Sequence, residues 1–228
     1  GVRLLEEKVR RAGRLAALGE LAAGVAHEMR NPLTTIRGFI QIFPEESGDP
    51  EFRKEFTVNA LREIDRLTKL TNDLLNLAKP TTMNIKAADA KDLVEEVLAF
   101  LSERLEKAGV EVVWNPPEQQ MVVSMDRDRI KQVLLNLMLN AMEAMSGGGW
   151  LEIGLFEQQE RLRSSEKVEP FVVFKVRDNG PGIEKENLER LFDPFFTTKD
   201  NGTGLGLAVS YRIVEEHNGF LRVESESG

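Results

Sequence analysis

The feature that most constrains this chain is a heptad repeat of apolar residues in its first part. With Leu15 at position a, the following a and d positions alternate three and four residues apart: Leu18, Ala22, Val25, Met29, Pro32, Ile36, Phe39 and Phe43. Further apolar side chains at the flanking e and g positions widen the stripe: Leu21, Leu33 and Ile40. This pattern predicts a long amphipathic helix over about residues 3–43, with a stripe wide enough for a four-helix bundle.

A second amphipathic helix is expected over about residues 51–78, because Pro44 and the polar run behind it end the first helix. Its predicted apolar face consists of Ala60, Ile64, Leu67, Thr71, Leu74 and Ala78. A hairpin of two such helices leaves its stripes half covered, and a second copy of the chain would cover them. We therefore predict a homodimer through residues 3–78.

The pattern changes after Lys79 and Pro80. Helices are predicted at about 88–108, 126–145, 184–191 and 205–218, and strands near 110–115, 121–124, 150–157 and 171–177, with a last strand from Phe220. Alternating helices and mixed strands indicate an α/β sandwich, one sheet with helices over a face. The polar residues 158–169 are expected to form an exposed hairpin loop. The predicted class is α+β, with a helical hairpin at 1–79 and an α/β sandwich at 80–228.

Composition excludes several functional classes. A net charge of −8 argues against a nucleic-acid binder, which needs a basic face. The chain has no cysteine, so disulfides and thiolate chemistry are excluded. No apolar run approaches the roughly 18 residues that span a bilayer, and no signal peptide is visible, so a cytoplasmic location is expected. Because the chain begins inside a helical pattern, we expect it to be a fragment of a longer protein.

His27 stands out because the heptad places it at position f, on the outside of the bundle. An isolated histidine there is usually an ordinary surface residue. Here Glu28 is adjacent and Asn31 lies one turn further along the same face. Pro32 removes a backbone hydrogen bond and frees a carbonyl near residue 28, at a cost of about 3 kcal/mol. An exposed imidazole beside a carboxylate, one turn before a helix irregularity, favours a functional interpretation.

The predicted helix 126–145 is apolar except for one narrow stripe formed by Gln132, Asn136, Asn140 and Glu143. A helix that is apolar nearly all round is buried, and buried amides need partners. The stripe fits two interpretations equally well. It is either an internal hydrogen-bond network, or the lining of a polar cavity whose amide oxygens suit a hard cation such as Mg²⁺.

Two glycine-rich segments follow. Asp178-Asn179-Gly180-Pro181-Gly182 ends a predicted strand, and Gly202-Thr203-Gly204-Leu205-Gly206-Leu207 opens a predicted helix. The second is a candidate phosphate cradle, because free backbone amides and a helix N-terminus attract anions. It is neither a dinucleotide fingerprint, since no strand precedes it, nor a P-loop, since it lacks Gly-Lys-Ser/Thr. Each cluster alone is a weak signal and reads most often as a turn.

Together these segments resemble the catalytic core of sensor histidine kinases, in family order and over nearly the whole chain. His27 to Leu33 is similar to the H box, Asn136 to Ala141 to the N box, and Asp178 to Gly182 to the first glycine box. Phe192 to Phe196 is similar to the F box, and Gly202 to Leu207 to the second glycine box. The segment Leu15 to Phe43 is especially similar to sporulation kinases of bacilli, which implies a role in sporulation.

The resemblance implies an ATP-binding domain of the histidine kinase and gyrase type that uses ATP and Mg²⁺. Asn140 would ligate Mg²⁺, with Asn136 near the phosphates. Asp178 would accept a hydrogen bond from the adenine amino group. The remaining implied nucleotide contacts are Gly180, Gly182, Phe195, Gly202, Thr203, Gly204, Gly206 and Leu207, with residues 184–203 as a lid.

The resemblance also assigns roles to the hairpin. ATP would phosphorylate His27, Glu28 would hydrogen-bond the imidazole and act as general base, and the phosphoryl group would pass to an aspartate of a response regulator docked near His27. Asn31 would help to dephosphorylate that partner. The resemblance extends to a small inhibitory protein on the bundle, and to a membrane tether through an N-terminal sensor region that this chain lacks.

Related ATPases of the gyrase, mismatch-repair and heat-shock classes share the fold but carry a glutamate one turn before the metal-binding asparagine. Here that position is Asn136, so the site is poorly equipped to activate water. A third interpretation is a catalytically inactive dimerisation module, which the motifs in both halves disfavour. The family normally adds a further closing strand after the one predicted from Phe220, so we expect this chain to lack one edge of the sheet.

Overall fold

A computed structural model describes residues 24–43, 48–78, 83–161, 168–199 and 202–226. The backbone divides into two compact units: residues 1–81 with 191–209, and residues 82–190 with 210–228. The heptad positions Leu15, Leu18, Leu21 and Ala22, and residues 44–47 of the hairpin turn, lie outside the described residues. The predicted domain boundary after residue 79 stays a prediction.

The first unit is built on two helices, α1 (24–43) and α2 (Pro50–Ala78). The predicted a and d positions of α1 are the ones that α2 covers. Pro32 is buried, and the others are half-buried: Val25, Met29, Ile36, Phe39 and Phe43. The helix continues without a break across Pro32. The heptad prediction is confirmed for this described part of α1.

Four phenylalanines close the end of the hairpin nearest its turn. Phe43 packs on Phe56 with ring centroids 4.8 Å apart, and Phe39 meets Phe56 edge-on at 6.2 Å. Phe52 completes the group, 6.3 Å from Phe43. Aromatic pairs at these separations are stabilising beyond their buried area. The cluster therefore fixes the register of α1 against α2.

The predicted apolar face of α2 is partly wrong. Ala60, Leu67 and Leu74 are half-buried as expected, but Ile64 is 48% exposed and Thr71 is exposed. The covered side of α2 also includes residues 52, 56, 59, 63, 66, 70 and 73. Phe52, Phe56 and Arg66 contact α1 directly. α2 therefore carries two adjacent stripes. One faces α1, and the other, with Leu61 and Ile64, remains exposed in the single chain.

The described residues of the second unit form five strands and most of the remaining helices. In chain order its elements are β1 (Lys86–Asp89), α3 (Ala90–Lys107), β2 (Val110–Trp114), β3 (Val122–Met125), α4 (Arg127–Ala144), β4 (Gly149–Arg161), β5 (Val168–Asp178) and α5 (Lys185–Leu188). Helix α6 (Gly206–Glu216) starts in the first unit and ends in the second. The predicted α+β class is confirmed.

The strands form two sheets, so the expectation of one sheet is wrong. β1 pairs antiparallel with β3, while β4 pairs parallel with β2 and antiparallel with β5. Pro116 and Pro117 follow β2 and have no N–H to donate, which ends that ladder before β3 begins. Strand β1 was not predicted, because its four residues look like the start of the helix behind them.

Helices α3 and α4 supply the core of the second unit. Leu93, Val97 and Leu101 on α3 are completely buried, as is Met138 on α4. Both helices begin at an aspartate: Asp89 accepts a hydrogen bond from the Lys91 amide, and Asp126 from the Arg129 amide. Such caps satisfy donors that the first turn leaves unpaired. The two helices are thus fixed at their starts as well as along one face.

Two expectations near the end of the chain are also wrong. Residues 158–161 and 168–169 are paired strand, in register from Leu151 opposite Asp178 to Arg161 opposite Val168, and 162–167 lie outside the described residues. Polar side chains persist there because much of this hairpin is solvent-exposed. From Phe220 to residue 226 no strand forms. That segment is held by side chains, with Phe220 against Phe171 and Arg222 on Glu160.

No helix in the described ranges is both long and apolar enough to cross a membrane.

Candidate functional site

His27 lies exposed on α1, as predicted. The side-chain amide of Asn31, one turn further on, donates to Nδ1 of the imidazole over 3.4 Å. A neutral imidazole that accepts at Nδ1 carries its proton on Nε2. The predicted pair of His27 and Asn31 is therefore brought together on one face of the helix, with the ring oriented by the amide.

Glu28 does not bond to the imidazole in this structure. Its Oε2 accepts a hydrogen bond from Nη2 of Arg66 on α2, over 3.1 Å, and both side chains are largely covered. The implied hydrogen bond between Glu28 and His27 is therefore not formed, because the guanidinium of Arg66 provides a charged donor on the facing helix. The carboxylate remains next to His27 in the chain, and Arg66 is a residue that sequence reasoning missed.

The two asparagines of α4 differ in their surroundings. The Asn136 amide donates to the hydroxyl of Ser210 on α6 over 3.0 Å, so part of the polar stripe is an internal hydrogen bond. Asn140 is half-buried, and its side chain makes no hydrogen bond to any described residue. Its oxygen is a suitable ligand for Mg²⁺, which typically takes one or two protein oxygens and completes its shell with phosphates and water.

Elsewhere in the described ranges no group of three acidic, histidine or cysteine side chains could hold a metal. Asn140 supplies one amide oxygen, which fits Mg²⁺ as one ligand of a shell completed by phosphates and water. This is consistent with the predicted role of the stripe and leaves that role a prediction.

The first glycine segment forms a tight turn at the end of β5. The carboxylate of Asp178 accepts from the Gly180 amide over 2.9 Å, and a side chain at Gly180 would meet Ala144 of α4 at 3.1 Å. Gly182 has φ 76°, which an L residue rarely adopts. Asp178 is exposed at this turn, so its carboxylate has room to accept from a ligand.

The second glycine segment belongs to the first unit. Gly204 has φ 63°, and a Cβ there would come within 2.4 Å of the backbone of Phe195. Phe195 itself has φ 66°, and its amide donates to the Gly204 carbonyl over 3.0 Å. A positive φ at a bulky residue is strained, of the order of 1–3 kcal/mol. Two left-handed residues therefore meet at the base of the proposed lid.

The remaining residues of this segment are also placed. A Cβ at Gly202 would lie 2.2 Å from the Thr197 hydroxyl, so a larger residue there would require the Thr197 side chain to shift. Thr203 is buried. Gly206 is the first residue of α6, and Leu207 follows it half-buried.

Two contacts attach this segment to the hairpin, and both lie within the first unit. The Thr203 hydroxyl donates to Oδ2 of Asp73 on α2 over 3.3 Å. A Cβ at Gly24 of α1 would lie 3.2 Å from the ring of Phe195. Burial raises the pKa of the Asp73 carboxyl, and the opposing effects of Lys69 and Thr203 are smaller. Sequence patterns could not reveal contacts between residues so far apart in the chain.

The predicted site residues fall into three groups. His27, Glu28 and Asn31 share α1, while Phe195, Gly202, Thr203 and Gly204 occur together in the lid of the same unit. Asn136, Asn140, Asp178, Gly180 and Gly182 belong to the second unit. The last group shares α4 and the turn that packs on its C-terminal end.

A further polar cluster in the second unit was not predicted. His217, near the end of α6, accepts at Nε2 from the amide of Asp126 over 2.9 Å, and its Nδ1 lies 2.7 Å from the carbonyl of Ile213. Asp126 in turn accepts from the amide of Asn84. The start of the second unit is thereby tied to α4 and α6. His217 has both ring nitrogens engaged, unlike the exposed His27.

Two family models match the chain. Residues 17–82 match the His Kinase A (phospho-acceptor) domain, and residues 125–228 match the histidine kinase-, DNA gyrase B- and HSP90-like ATPase. The two matched regions are the ones that contain His27 and the nucleotide motifs, respectively.

Two curated relatives show the breadth of the similarity. The signal transduction histidine-protein kinase AtoS of Escherichia coli (strain K12) is 38% identical over 98% of this chain and 35% of its own length. Sporulation kinase C of Bacillus subtilis (strain 168) is 34% identical over 100% of this chain and 50% of its own. The chain thus spans between a third and a half of these relatives. Special similarity to sporulation kinases is not supported, because AtoS is at least as similar.

Solved structures agree. The histidine kinase ThkA, crystallised in complex with the response regulator protein TrrA, has a TM-score of 0.78 and 32% identity, covering 94% of this chain and 60% of that one. The separate catalytic domain of ThkA is 33% identical with a TM-score of 0.50, and this chain covers 82% of it. The chain carries an exposed histidine on a helical hairpin, followed along the sequence by an ATPase-type domain, and it belongs to the histidine kinase family.

Proposed function

We propose that this chain phosphorylates itself on His27 with ATP and then passes the phosphoryl group to an aspartate of a response regulator. The observation that carries the proposal is an exposed, amide-oriented imidazole within the part of the chain that matches a phospho-acceptor domain. The only other histidine, His217, is engaged at both nitrogens within its own unit. His27 is thus the only candidate acceptor of this residue type.

The chemistry needs an unprotonated ring nitrogen and a proton acceptor. The nucleophilic nitrogen forms a bond to the γ-phosphorus while the bond to the ADP oxygen breaks, and the proton on the ring is lost to a base. Glu28 is the proposed base. To reach the imidazole its carboxylate must leave Arg66, so the pair of Glu28 and Arg66 is a resting arrangement under this proposal.

The nucleotide residues are proposed from the family motifs together with their surroundings. Asn140 would hold Mg²⁺, which supplies charge stabilisation at the phosphates when bound. Asp178 would accept from the adenine amino group, beside Gly180 and Gly182. Gly202, Gly204 and Gly206 would wrap the phosphates, with Thr203 and Leu207 beside them and Asn136 close by. Phe195 would anchor the proposed lid of residues 184–203 over the nucleotide.

We propose that the hairpin is a homodimer interface. Leu61 and Ile64 of α2 are about half exposed in the single chain, as are Leu33 and Ile40 of α1. These residues lie next to the stripe that already closes the hairpin. A second copy of the same hairpin carries the same unfilled stripe, so a four-helix bundle would cover both.

Several finer predictions remain. The ThkA–TrrA complex supports an interaction with a response regulator; docking of its receiver domain on the bundle near His27 stays a prediction. A phosphatase activity that uses Asn31, a small inhibitory protein on the bundle, a role in sporulation, a cytoplasmic location and a membrane tether stay predictions. Sporulation kinase C supports the sporulation role no better than AtoS supports a different one.

The test is incubation with γ-labelled ATP and Mg²⁺, beside His27→Gln and His217→Gln variants. We expect acid-labile, base-stable label on the unaltered chain and on His217→Gln, and none on His27→Gln. His217→Gln is the matched control, because it removes the other histidine and leaves an amide oxygen that can accept from Asp126. Label that persists in His27→Gln contradicts the proposal.

The alternative of a gyrase-type ATPase predicts a different result. Steady phosphate release without labelled protein would favour it. The amide at Asn136, bonded to Ser210, provides no carboxylate to activate water and so disfavours that alternative.

A further inference from the structure

The second glycine segment is hydrogen-bonded to the helical hairpin of its own chain. Thr203 is only 5% exposed, and its hydroxyl donates to the Asp73 carboxylate over 3.3 Å. Asp73 lies on α2, in the same compact unit as residues 191–209. A residue placed among the glycines of a candidate phosphate loop therefore already bonds to an anion.

A second contact supports the same arrangement from α1. The ring of Phe195 lies over Gly24, where a Cβ would approach Cδ2 of the ring to 3.2 Å. The backbone N–H of Phe195 donates a hydrogen bond to the Gly204 carbonyl at the base of the proposed lid. Since Thr203 precedes Gly204, the two contacts with the hairpin fix the same short segment from two helices.

The chemistry of the contact is that of phosphate binding. A hydroxyl and backbone amides at the start of a helix favour an anion with several acceptor oxygens. A carboxylate offers two such oxygens and a negative charge, as a phosphate does. Desolvation dominates at Asp73 and raises its pKa, so the charged carboxylate is held there at a cost that its neighbours do not fully offset. A more highly charged competitor could therefore displace it.

We propose that Asp73 is an internal competitor for the phosphate-binding loop, which holds Thr203 on the hairpin until a nucleotide phosphate takes its place. The inference rests on the proposed function, because it assumes that this loop receives the phosphates. Nucleotide affinity is then reduced by the fraction of molecules in which the loop is docked. Asp73 sets affinity without touching the nucleotide.

The first test removes the carboxylate. Asp73→Ala should bind a non-hydrolysable ATP analogue with Mg²⁺ about three- to tenfold more tightly than the unaltered chain, as expected for loss of one competing hydrogen bond. Isothermal titration calorimetry measures this directly. Asp65→Ala is the matched control, since Asp65 is an exposed acid on the same helix and should leave affinity unchanged. A merely structural role for Asp73 would weaken binding, not tighten it.

The second test breaks the contact from the other helix. Gly24→Leu places a side chain against Phe195 and should also tighten binding. Gly38→Leu is its control, because nothing lies within 4 Å of a Cβ at Gly38 in the same helix. Hydrogen exchange of residues 202–206 without nucleotide should be faster in Asp73→Ala and Gly24→Leu than in either control.

The outcomes separate the two proposals. If no variant binds the analogue, the proposed function fails. If the unaltered chain binds it and Asp73→Ala binds equally or more weakly, the function stands and the internal competitor is excluded. If Asp65→Ala binds the analogue as tightly as Asp73→Ala does, the gain in affinity comes from removing any negative charge on the helix. That result would also overturn the inference.

Discussion

The two compact units differ sharply in how completely each is packed. In the second, α3 contains six buried residues and α4 five. Across the described residues of α1 and α2, only Pro32 and Leu70 are buried. The ATPase-type unit closes its own core, whereas the hairpin keeps large apolar side chains such as Leu61 and Ile64 about half exposed. This contrast in packing is consistent with the proposed dimer.

The largest expected effect tests this contrast in the core of the second unit. Leu134 of α4 is 1% exposed, and Leu134→Ala should lower the free energy of unfolding by about 2–5 kcal/mol through lost burial and an unfilled cavity. Leu61→Ala on the exposed stripe is the hairpin counterpart. Under dissociating dilution it should change that energy by less than about 1 kcal/mol, measured by urea denaturation. Equal losses would remove the contrast.

The next prediction concerns the exposed stripe of the hairpin. Leu61→Asp should dissociate the proposed dimer, because a charge at its centre would be buried without a partner. Sedimentation velocity should show a monomer at concentrations where the unaltered chain is a dimer. Arg62→Asp, a neighbouring exposed change, should leave the dimer intact. A dimer that survives Leu61→Asp would place the interface elsewhere.

A smaller effect is expected where the second unit is joined by polar contacts. Asp126 is buried, caps α4 and accepts from the Asn84 amide. Asp126→Ala leaves these donors unpaired and should cost about 1–3 kcal/mol in thermal or urea unfolding. Asp128→Ala, an exposed acid in the first turn of the same helix, provides the comparison. A similar loss in both variants would mean that helix-dipole charge, not the cap, is responsible.

The smallest expected effects have opposite signs in the two units. Hydrogen bonds from Lys131 and Arg127 lower the pKa of Glu96 on α3. The contribution of Glu96 to the free energy of unfolding is therefore present above the usual glutamate pKa and is lost as the pH falls. Burial raises the pKa of Asp73. The contribution of its protonated form to the free energy of unfolding is therefore complete below the usual aspartate pKa, and it is lost as the pH rises through the higher pKa of the folded state.

These signs can be measured with isosteric variants. At pH 7, Glu96→Gln should slightly destabilise the chain and Asp73→Asn should slightly stabilise it. Both differences should shrink as the pH is lowered towards 4, as followed by urea denaturation. A stabilising Glu96→Gln or a destabilising Asp73→Asn at pH 7 would reverse the assignment for that residue.

The sequence predicted those features that depend on local spacing. The heptad identified which residues of α1 face α2 and left His27 outside, because helical periodicity alone determines the face. It could not choose between the two neighbouring stripes of α2. That choice depends on which stripe of α2 packs against α1 and which stays exposed in the single chain.

The sequence alone did not predict contacts between segments that are far apart in the chain. Glu28 was expected to bond to the adjacent imidazole, but the guanidinium of Arg66 from the facing helix takes its oxygen. The length of β4 and β5 was underestimated because their polar ends lack an apolar alternation, although backbone pairing continues there. The bond from Thr203 to Asp73 joins residues 130 positions apart, which no pattern in one sequence reveals.

The closed base of the lid has a consequence for how such a loop can change. The hydrogen bond from the Phe195 amide to the Gly204 carbonyl holds the two ends of the loop together. The entropic cost of closing the loop is therefore already included in the free energy of the folded chain. Because closure entropy grows slowly with loop length, additional residues inside that loop would add little further entropic cost. Diversification, whether by evolution or by design, can therefore act on the tip of the lid while the glycines at its base stay where they are.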